Sequence, residues 1–241
     1  MIAGDLSHTF LFEQAGCAQI AGVQQVIAKN KPDGTFDLDE LKSRIRMHPD
    51  VHEPITSLIV VENTHNMCGG KVLPLPWLDQ VGVIAKKHNI KLHMDGARLF
   101  NAVVQSKIPA ARIVRDVDSV CFCLSKNLGL PLGSLLVGSK AFIEKARRMR
   151  KVLGGGMRQI GIIAAAGLVA MDKMIDRLAD DHRRAYQIGK AIAECSTKYF
   201  SVDVNSLQTN IIMIYLKTDK FVANDVLKRL ASVNEDDELK M

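Results

Sequence analysis

The stretch Ser119–Gly138, SVCFCLSKNLGLPLGSLLVG, decides how this chain is read. Two short apolar runs, Val120–Leu124 and Leu135–Val137, flank Ser125-Lys126 and a turn rich in glycine and proline. Runs of that length bounded by turn residues predict buried strands. A lysine delivered by the end of a buried strand is unusual, because lysine is rarely buried without a partner. Two readings of Lys126 stand side by side. It begins a solvated loop, or it is a desolvated amine of lowered pKa that can form a Schiff base with a carbonyl. The rest of the chain must decide between them.

Immediately upstream, Ile90–Met94 (IKLHM) reads as a strand that runs into Asp95-Gly96-Ala97-Arg98. Its alternation leaves Lys91 and His93 less deeply buried than Ile90, Leu92 and Met94. Before it, Trp77–Lys87 has a helical period at Leu78, Val81, Ile84 and Ala85, with Asn89 as its C-terminal cap. Leu99–Val104 starts another helix. Ser57–Val61 (SLIVV) is a continuous apolar run, as expected of a parallel strand covered on both faces, and it ends in the polar cluster Glu62-Asn63-Thr64-His65-Asn66. The order strand, helix, strand, helix, strand, turn, strand predicts a layered α/β sheet. In such sheets ligands sit at the carboxyl ends of the strands.

Further out, Lys31–Thr35 is a Pro-Asp-Gly turn, and Asp37 or Asp39 can cap a short helix over Glu40–Met47. His48–Pro54 is a polar loop. Residues 1–30 read as a connection and a helix with no opening strand. On the C-terminal side, Ala141–Val152 is a basic amphipathic helix and residues 154–158 (GGGMR) a flexible joint. Ile160–Met171 is a small-residue helix and Asp172–Thr197 a long charged one. Ile211–Leu216 is a strand, Phe221–Leu230 a last helix, and the acidic end NEDDELKM a frayed tail. This divides the chain at residue 153, with 154–241 forming connecting helices and an incomplete small α+β domain.

Composition narrows the function classes. The 241 residues are 47% hydrophobic and 24% charged, ordinary globular proportions, with a net charge of +6. The one basic cluster, Lys145–Lys151 (KARRMRK), has no aromatic residue interleaved, which favours a solvated helix face or an anion-binding subunit contact over nucleic acid. No apolar run approaches a membrane span. The first residues form neither a signal nor a transit peptide, so a cytoplasmic location is expected. Five cysteines (Cys17, Cys68, Cys121, Cys123, Cys195) lack metal-site spacing, and a reducing compartment without disulfides is expected. Cys121 and Cys123 share one strand face as small buried hydrophobes.

Brought together, the strand ends deliver His65, then Asp95 and Arg98, then Lys126. Neighbouring strands lie about 5 Å apart, so these side chains can converge. An acid, a guanidinium and a lysine at one sheet edge suit pyridoxal 5'-phosphate, whose aldehyde a lysine holds and whose pyridine nitrogen a carboxylate keeps protonated.

Several blocks make the likeness specific: SHTFLFEQAG at 7–16, HEPITSLIVVENTHN at 52–66, GGKVLPLPWL at 69–78, HMDGARLFNAVV at 93–104, CLSKNLGLPLGSLLVG at 123–138 and GGGMRQIGIIAAAG at 154–167. Over residues 4–217 the chain resembles the low-specificity L-threonine aldolases. The resemblance implies an aspartate-aminotransferase-like fold, fold type I of the pyridoxal phosphate enzymes, with residues 1–153 as the large cofactor-binding domain. It implies that Lys126 is the Schiff-base lysine, that Asp95 pairs with the pyridine nitrogen, and that Arg98 contacts the cofactor's phenolic oxygen and the substrate carboxylate. It further implies that His8 stacks on the cofactor ring, that His52 lies near the substrate's β-hydroxyl, and that Lys151 and Arg158 reach a neighbouring subunit's site, Arg158 near the phosphate. The implied reaction is cleavage of L-threonine or L-allo-threonine to glycine and acetaldehyde by a homo-oligomer, dimer or tetramer, with no nucleic acid, membrane or metal involved. The proton acceptor is left open among His8, His52, His65 and a water. Against the family pattern, an N-terminal phosphate loop and a C-terminal arginine segment are expected to be missing, and Asn127 stands where a glycine commonly follows the lysine. Two further readings follow: an impaired fragment that serves as a subunit-contact chain, and a fold-type-I lyase acting on another β-substituted amino acid.

Overall fold

The apolar runs form strands and the periodic segments form helices in the expected alternation. The computed structural model describes residues 1–47, 50–195 and 198–232. His48 and Pro49 of the polar loop, the last two residues of the expected long helix and the acidic tail lie outside the described residues. In chain order the elements are β1 (Ile2–Gly4), α1 (His8–Leu11), α2 (Gly16–Gln19), β2 (Val26–Ala28), α3 (Leu38–Arg44), β3 (Leu58–Glu62), α4 (Leu75–Lys87), β4 (Lys91–Asp95), α5 (Leu99–Ser106), α6 (Ala110–Ile113), β5 (Ser119–Cys123) and β6 (Ser134–Gly138). They continue with α7 (Lys140–Val152), α8 (Gly161–Lys173), α9 (Leu178–Cys195), β7 (Phe200–Ser201), β8 (Tyr215–Leu216) and α10 (Ala223–Leu230).

Six strands form one sheet in the order β2-β1-β3-β4-β5-β6. All neighbours pair in parallel except β6, which returns antiparallel along β5. Ile59 and Val61, Leu92 and Met94, and Val120 project onto one face. There they pack with Leu78, Val81, Ile84 and Ala85 of α4, with Leu99 and Ala102 of α5, and with Ile113 of α6. The opposite face carries a smaller cluster of Met1, Ala3 and Val60. A third cluster holds the lysine turn: Leu124, Leu128 and Leu130 close over Ala170, with Ile163, Met171 and Met174 against them.

Several expectations are corrected. Residues 1–30 do contain an opening strand: β1 is fully buried between β2 and β3, but its three residues are too short for a periodicity to register. The helix expected over 40–47 spans Leu38–Arg44, because the Asp37 side chain accepts from the N–H groups of Asp39 and Glu40 and so sets the start two residues earlier. The long helix does not begin at Asp172. Met174 and Ile175 sit in a turn that packs onto the lysine-turn cluster, and α9 starts at Leu178. The strand expected over 211–216 shrinks to Tyr215–Leu216 and pairs with Phe200–Ser201, which carries no strand-length run. Leu135, Leu136 and Val137 form a strand as expected but are 41–47% exposed, since β6 is the sheet's outer strand. Cys121 and Cys123 are half-buried rather than fully covered.

The C-terminal segment is tied to the sheet by polar groups. Thr209 Oγ1 donates to the Gly70 carbonyl at 2.6 Å, the Val72 N–H donates to Gln208 Oε1 at 2.9 Å, and Lys71 Nζ donates to the Ser206 carbonyl. Gly70 is required at this latch. Its φ is +69°, and a Cβ there would lie 2.4 Å from Thr209 Oγ1.

Candidate active site

The carboxyl ends of β1, β3, β4 and β5 meet on one edge. Register pairs Glu62 with Asp95 and Asp95 with Cys121, so these three side chains form a row on one face of the sheet. Both carboxylates are buried, Glu62 at 5% and Asp95 at 6% exposure. Glu62 is fully engaged: Oε2 accepts the His8 N–H at 2.7 Å and Oε1 accepts the Asn66 N–H at 2.8 Å. Asn66 Oδ1 in turn accepts from Arg98 Nη1 at 3.0 Å. One carboxylate therefore fixes the start of α1, the loop after β3 and, through that loop, the guanidinium. Burial pushes the Glu62 carboxyl above the usual carboxylate range, and Asp95 adds to the rise while the two N–H donors oppose it. Glu62→Gln offers one acceptor oxygen where two N–H groups need one each. We expect it to cost about 1–3 kcal/mol of folding free energy, the range for orphaning a buried donor. Urea unfolding of the two proteins checks this, and coincident midpoints would contradict it.

Asp95 Oδ1 accepts the Ala97 N–H at 3.1 Å, which shapes the turn into α5, and Cys121 Sγ lies 3.8 Å from the same oxygen. Burial and the neighbouring carboxylate push the Cys121 thiol up to about 12, so it stays protonated. Burial lowers the proton affinity of Arg98, against the pull of Glu62, Cys123 and Asp95. Around this centre four buried polar atoms have no partner among the described residues: Asn63 Nδ2, Thr64 Oγ1, His65 Nδ1 and Arg98 Nε. Buried polar groups are normally paired, and orphans gathered at one strand edge mark a place built to meet a ligand.

His65 is 2% exposed, and burial lowers its pKa from 6.5 to about 4. The folded protein keeps it neutral, whereas the unfolded chain takes up its proton below pH 6.5. Its contribution to stability is therefore complete above pH 6.5 and is lost as pH falls from there to about 4. The loss integrates to about 3 kcal/mol at most. We expect the wild-type denaturation midpoint to fall more steeply over this window than that of His65→Gln. Parallel pH profiles would contradict the assignment.

Lys126 follows β5 by three residues and is half-buried, between the solvated and the fully desolvated extremes. Its Nζ has no acceptor among the described residues. Its carbonyl accepts the Gly129 N–H at 3.0 Å, closing a tight turn, and Leu128 at 3% exposure anchors that turn in the third cluster. Beside it, Arg98, Phe100, Asn101, Phe122, Asn127 and Leu178 line a narrow crevice.

The other expected site residues stand apart. His8 opens α1 on the same edge and its backbone serves Glu62, but its ring pairs with Glu13 at 2.9 Å and leans on Phe12. His52 is 88% exposed and pairs with Asp50 at 2.9 Å, and no hydrogen bond joins it to the strand-edge residues among the described residues. Lys151 and Arg158 are both exposed, at the end of α7 and beyond it. Sequence reasoning passed over Glu62, Asn66, Asn101 and Thr209 as site residues. A usable signal existed for Glu62, an acid closing an otherwise apolar strand in line with Asp95. None existed for Asn101, a lone polar residue between the apolar Phe100 and Ala102 of its helix.

Fold and site together define a fold-type-I chain, a mostly parallel α/β sheet with an acid, a guanidinium and a lysine on its carboxyl edge. The chain belongs to the beta-eliminating lyase family, whose sequence signature matches residues 1–219. It is 45% identical over 235 residues to "Probable low-specificity L-threonine aldolase 2" of Arabidopsis thaliana, covering 97% of this chain and 66% of that protein. It is 41% identical over 206 residues to the low specificity L-threonine aldolase of Escherichia coli K12, covering 86% of this chain and 61% of that one. The chain thus spans just under two thirds of the length of these curated relatives. The threonine aldolase of Leishmania major shares the fold, with a TM-score of 0.68 at 21% identity, covering 96% of this chain and 77% of that structure.

Proposed function

We propose that this chain carries the lysine side of a pyridoxal 5'-phosphate site that cleaves L-threonine or L-allo-threonine to glycine and acetaldehyde. The observation that carries the reading is the delivery of Asp95, Arg98 and Lys126 by successive strands onto the edge that holds the four unpartnered buried polar atoms. The donor set fits the group: a buried carboxylate for a pyridinium, a guanidinium with a free Nε, and an amine without an acceptor. Bound there, pyridoxal phosphate supplies an electron sink for carbon–carbon cleavage.

The chain's own residues do the rest. Lys126 is the amine that would hold the cofactor's aldehyde. Asp95 is the carboxylate that would pair with a protonated pyridine nitrogen. Arg98, steadied by Asn66, offers its remaining donors to a phenolic oxygen and a carboxylate. His65 binds its proton too weakly to take one from a hydroxyl at neutral pH and serves as a neutral hydrogen-bonding group. The base role is left open among His8, His52 and a bound water. The test is direct. Purified chain mixed with pyridoxal phosphate should develop a visible absorption band, and L-allo-threonine should then yield glycine and acetaldehyde. A folded sample that shows no band would sink the proposal for this chain and favour a subunit-contact role. A band with turnover of some other β-substituted amino acid only would favour a different lyase.

We further propose that the chain works as a homo-oligomer, dimer or tetramer, with Lys151 and Arg158 serving a neighbour's site. Val152 on α7 and Ile162, Leu168 and Val169 on α8, the helices on either side of the segment that carries Arg158, are 62–78% exposed. Apolar surface this dense marks an interaction face. Sedimentation should give a species larger than one chain, and Ile162→Asp should reduce its size. A wild-type monomer would contradict it.

A further inference from the structure

A chain of amides, buried at Asn101 and half-buried at Asn210 and Asn127, runs from the C-terminal segment to the residue after Lys126. Asn101, on α5 and 1% exposed, donates through Nδ2 to His182 Nε2 at 3.0 Å and to Asn210 Oδ1 at 3.1 Å. Both hydrogens of that amide are used. His182 must accept at Nε2, which fixes its proton on Nδ1 and matches the burial that holds the imidazole neutral. Asn210 then turns its own Nδ2 toward Asn127 Oδ1 at 3.4 Å, the longest link of the series. One residue earlier, Thr209 at 1% exposure latches the segment onto Gly70. Thr209 and Asn210 therefore clasp two separate parts of the strand edge, the hairpin after β3 and the turn that presents Lys126.

Two of these four polar side chains, Asn101 and His182, are buried, and the other two are half-buried. A satisfied polar network specifies one arrangement, where an apolar contact would tolerate several. The lysine turn is held from beneath by Leu124, Leu128 and Leu130, which set its depth. Apolar packing of that kind is non-directional, whereas among the described residues the Asn127–Asn210 hydrogen bond acts directionally on the residue next to Lys126.

We propose that Asn210, held by Asn101 and His182, is a positioning residue that sets the direction in which Lys126 is presented. In its cofactor arm the proposal rests on the reading of Lys126 given above. Two variants separate the roles. Asn210→Asp keeps the acceptor for Asn101 and removes the donor to Asn127, whereas Asn210→Ala removes both. Thr209→Ala loosens the latch but spares the amides.

The first readout needs no cofactor. Competitive acetylation of the folded chain, followed by mass spectrometry, compares Lys126 with Lys86 on α4. Both Asn210 variants should change the Lys126 rate several-fold and leave Lys86 unmoved, while Thr209→Ala should lower thermal stability without altering the ratio. The second readout is equilibrium retention of pyridoxal phosphate, expected to weaken about fivefold in both Asn210 variants, the worth of one hydrogen bond. If both variants lower the melting temperature yet leave the Lys126 to Lys86 ratio as in wild type, the residue is structural only and the proposal is overturned. If wild type itself retains no pyridoxal phosphate, the cofactor reading fails, and the acetylation ratio still decides the positioning role.

Discussion

Lys126→Ala is expected to abolish borohydride-fixed incorporation of pyridoxal phosphate and to lower threonine cleavage by at least about a thousandfold, as removing a covalent catalytic group does. The structure argues that this loss comes without unfolding. The Lys126 side chain is half-buried, its Nζ bonds no acceptor among the described residues, and the turn depends on its backbone carbonyl and on Leu128. Alanine keeps both supports. The melting temperature should therefore stay near wild type while the visible band disappears. A variant that melts normally and still fixes pyridoxal phosphate would move the covalent site to another lysine, and peptide mapping would locate it.

Asp95→Ala carries the second large effect, and it has two parts that Asp95→Asn separates. The carboxylate closes the turn into α5 through its bond from the Ala97 N–H, and it places negative charge beside Arg98 and Glu62. Alanine loses both functions. We expect it to cost about 1 kcal/mol in stability for the lost bond, with activity lowered by roughly a hundredfold to a thousandfold, the range for removing a preorganised electrostatic group. Asparagine keeps the acceptor and drops the charge, so it should melt like wild type and share the loss of activity. Glycine and acetaldehyde formation and thermal melts, run side by side, check the split. An active Asp95→Asn would show that the charge is dispensable.

How far the sequence foretold this site depends on the physical range of each signal. Asp95, Arg98 and Lys126 were legible because each follows an apolar run long enough to be recognised as a strand, and strand ends define one edge. The opening strand Ile2–Gly4 was not, since three residues offer no period to count. The place of His8 was not legible: the strand before it is too short to register, and its ring turns to Glu13 through a local bond that no motif announces. The exposed face of β6 was missed for a different reason. An apolar run says that a segment wants cover and does not say whether this chain supplies it.

Taken alone, the residues determined the alternation of strands and helices, the parallel sheet, the family likeness and the placement of Asp95, Arg98 and Lys126 after its strands. These are local or periodic properties, encoded within a dozen neighbours. The tertiary structure alone decided that Glu62 anchors both His8 and Arg98, that His65 is held neutral by burial, and that Asn210 reaches the turn of Lys126 from 83 residues beyond Asn127. Each of these depends on desolvation and on contacts between residues distant in the chain. Such effects exist only once the sheet has brought the strand ends together.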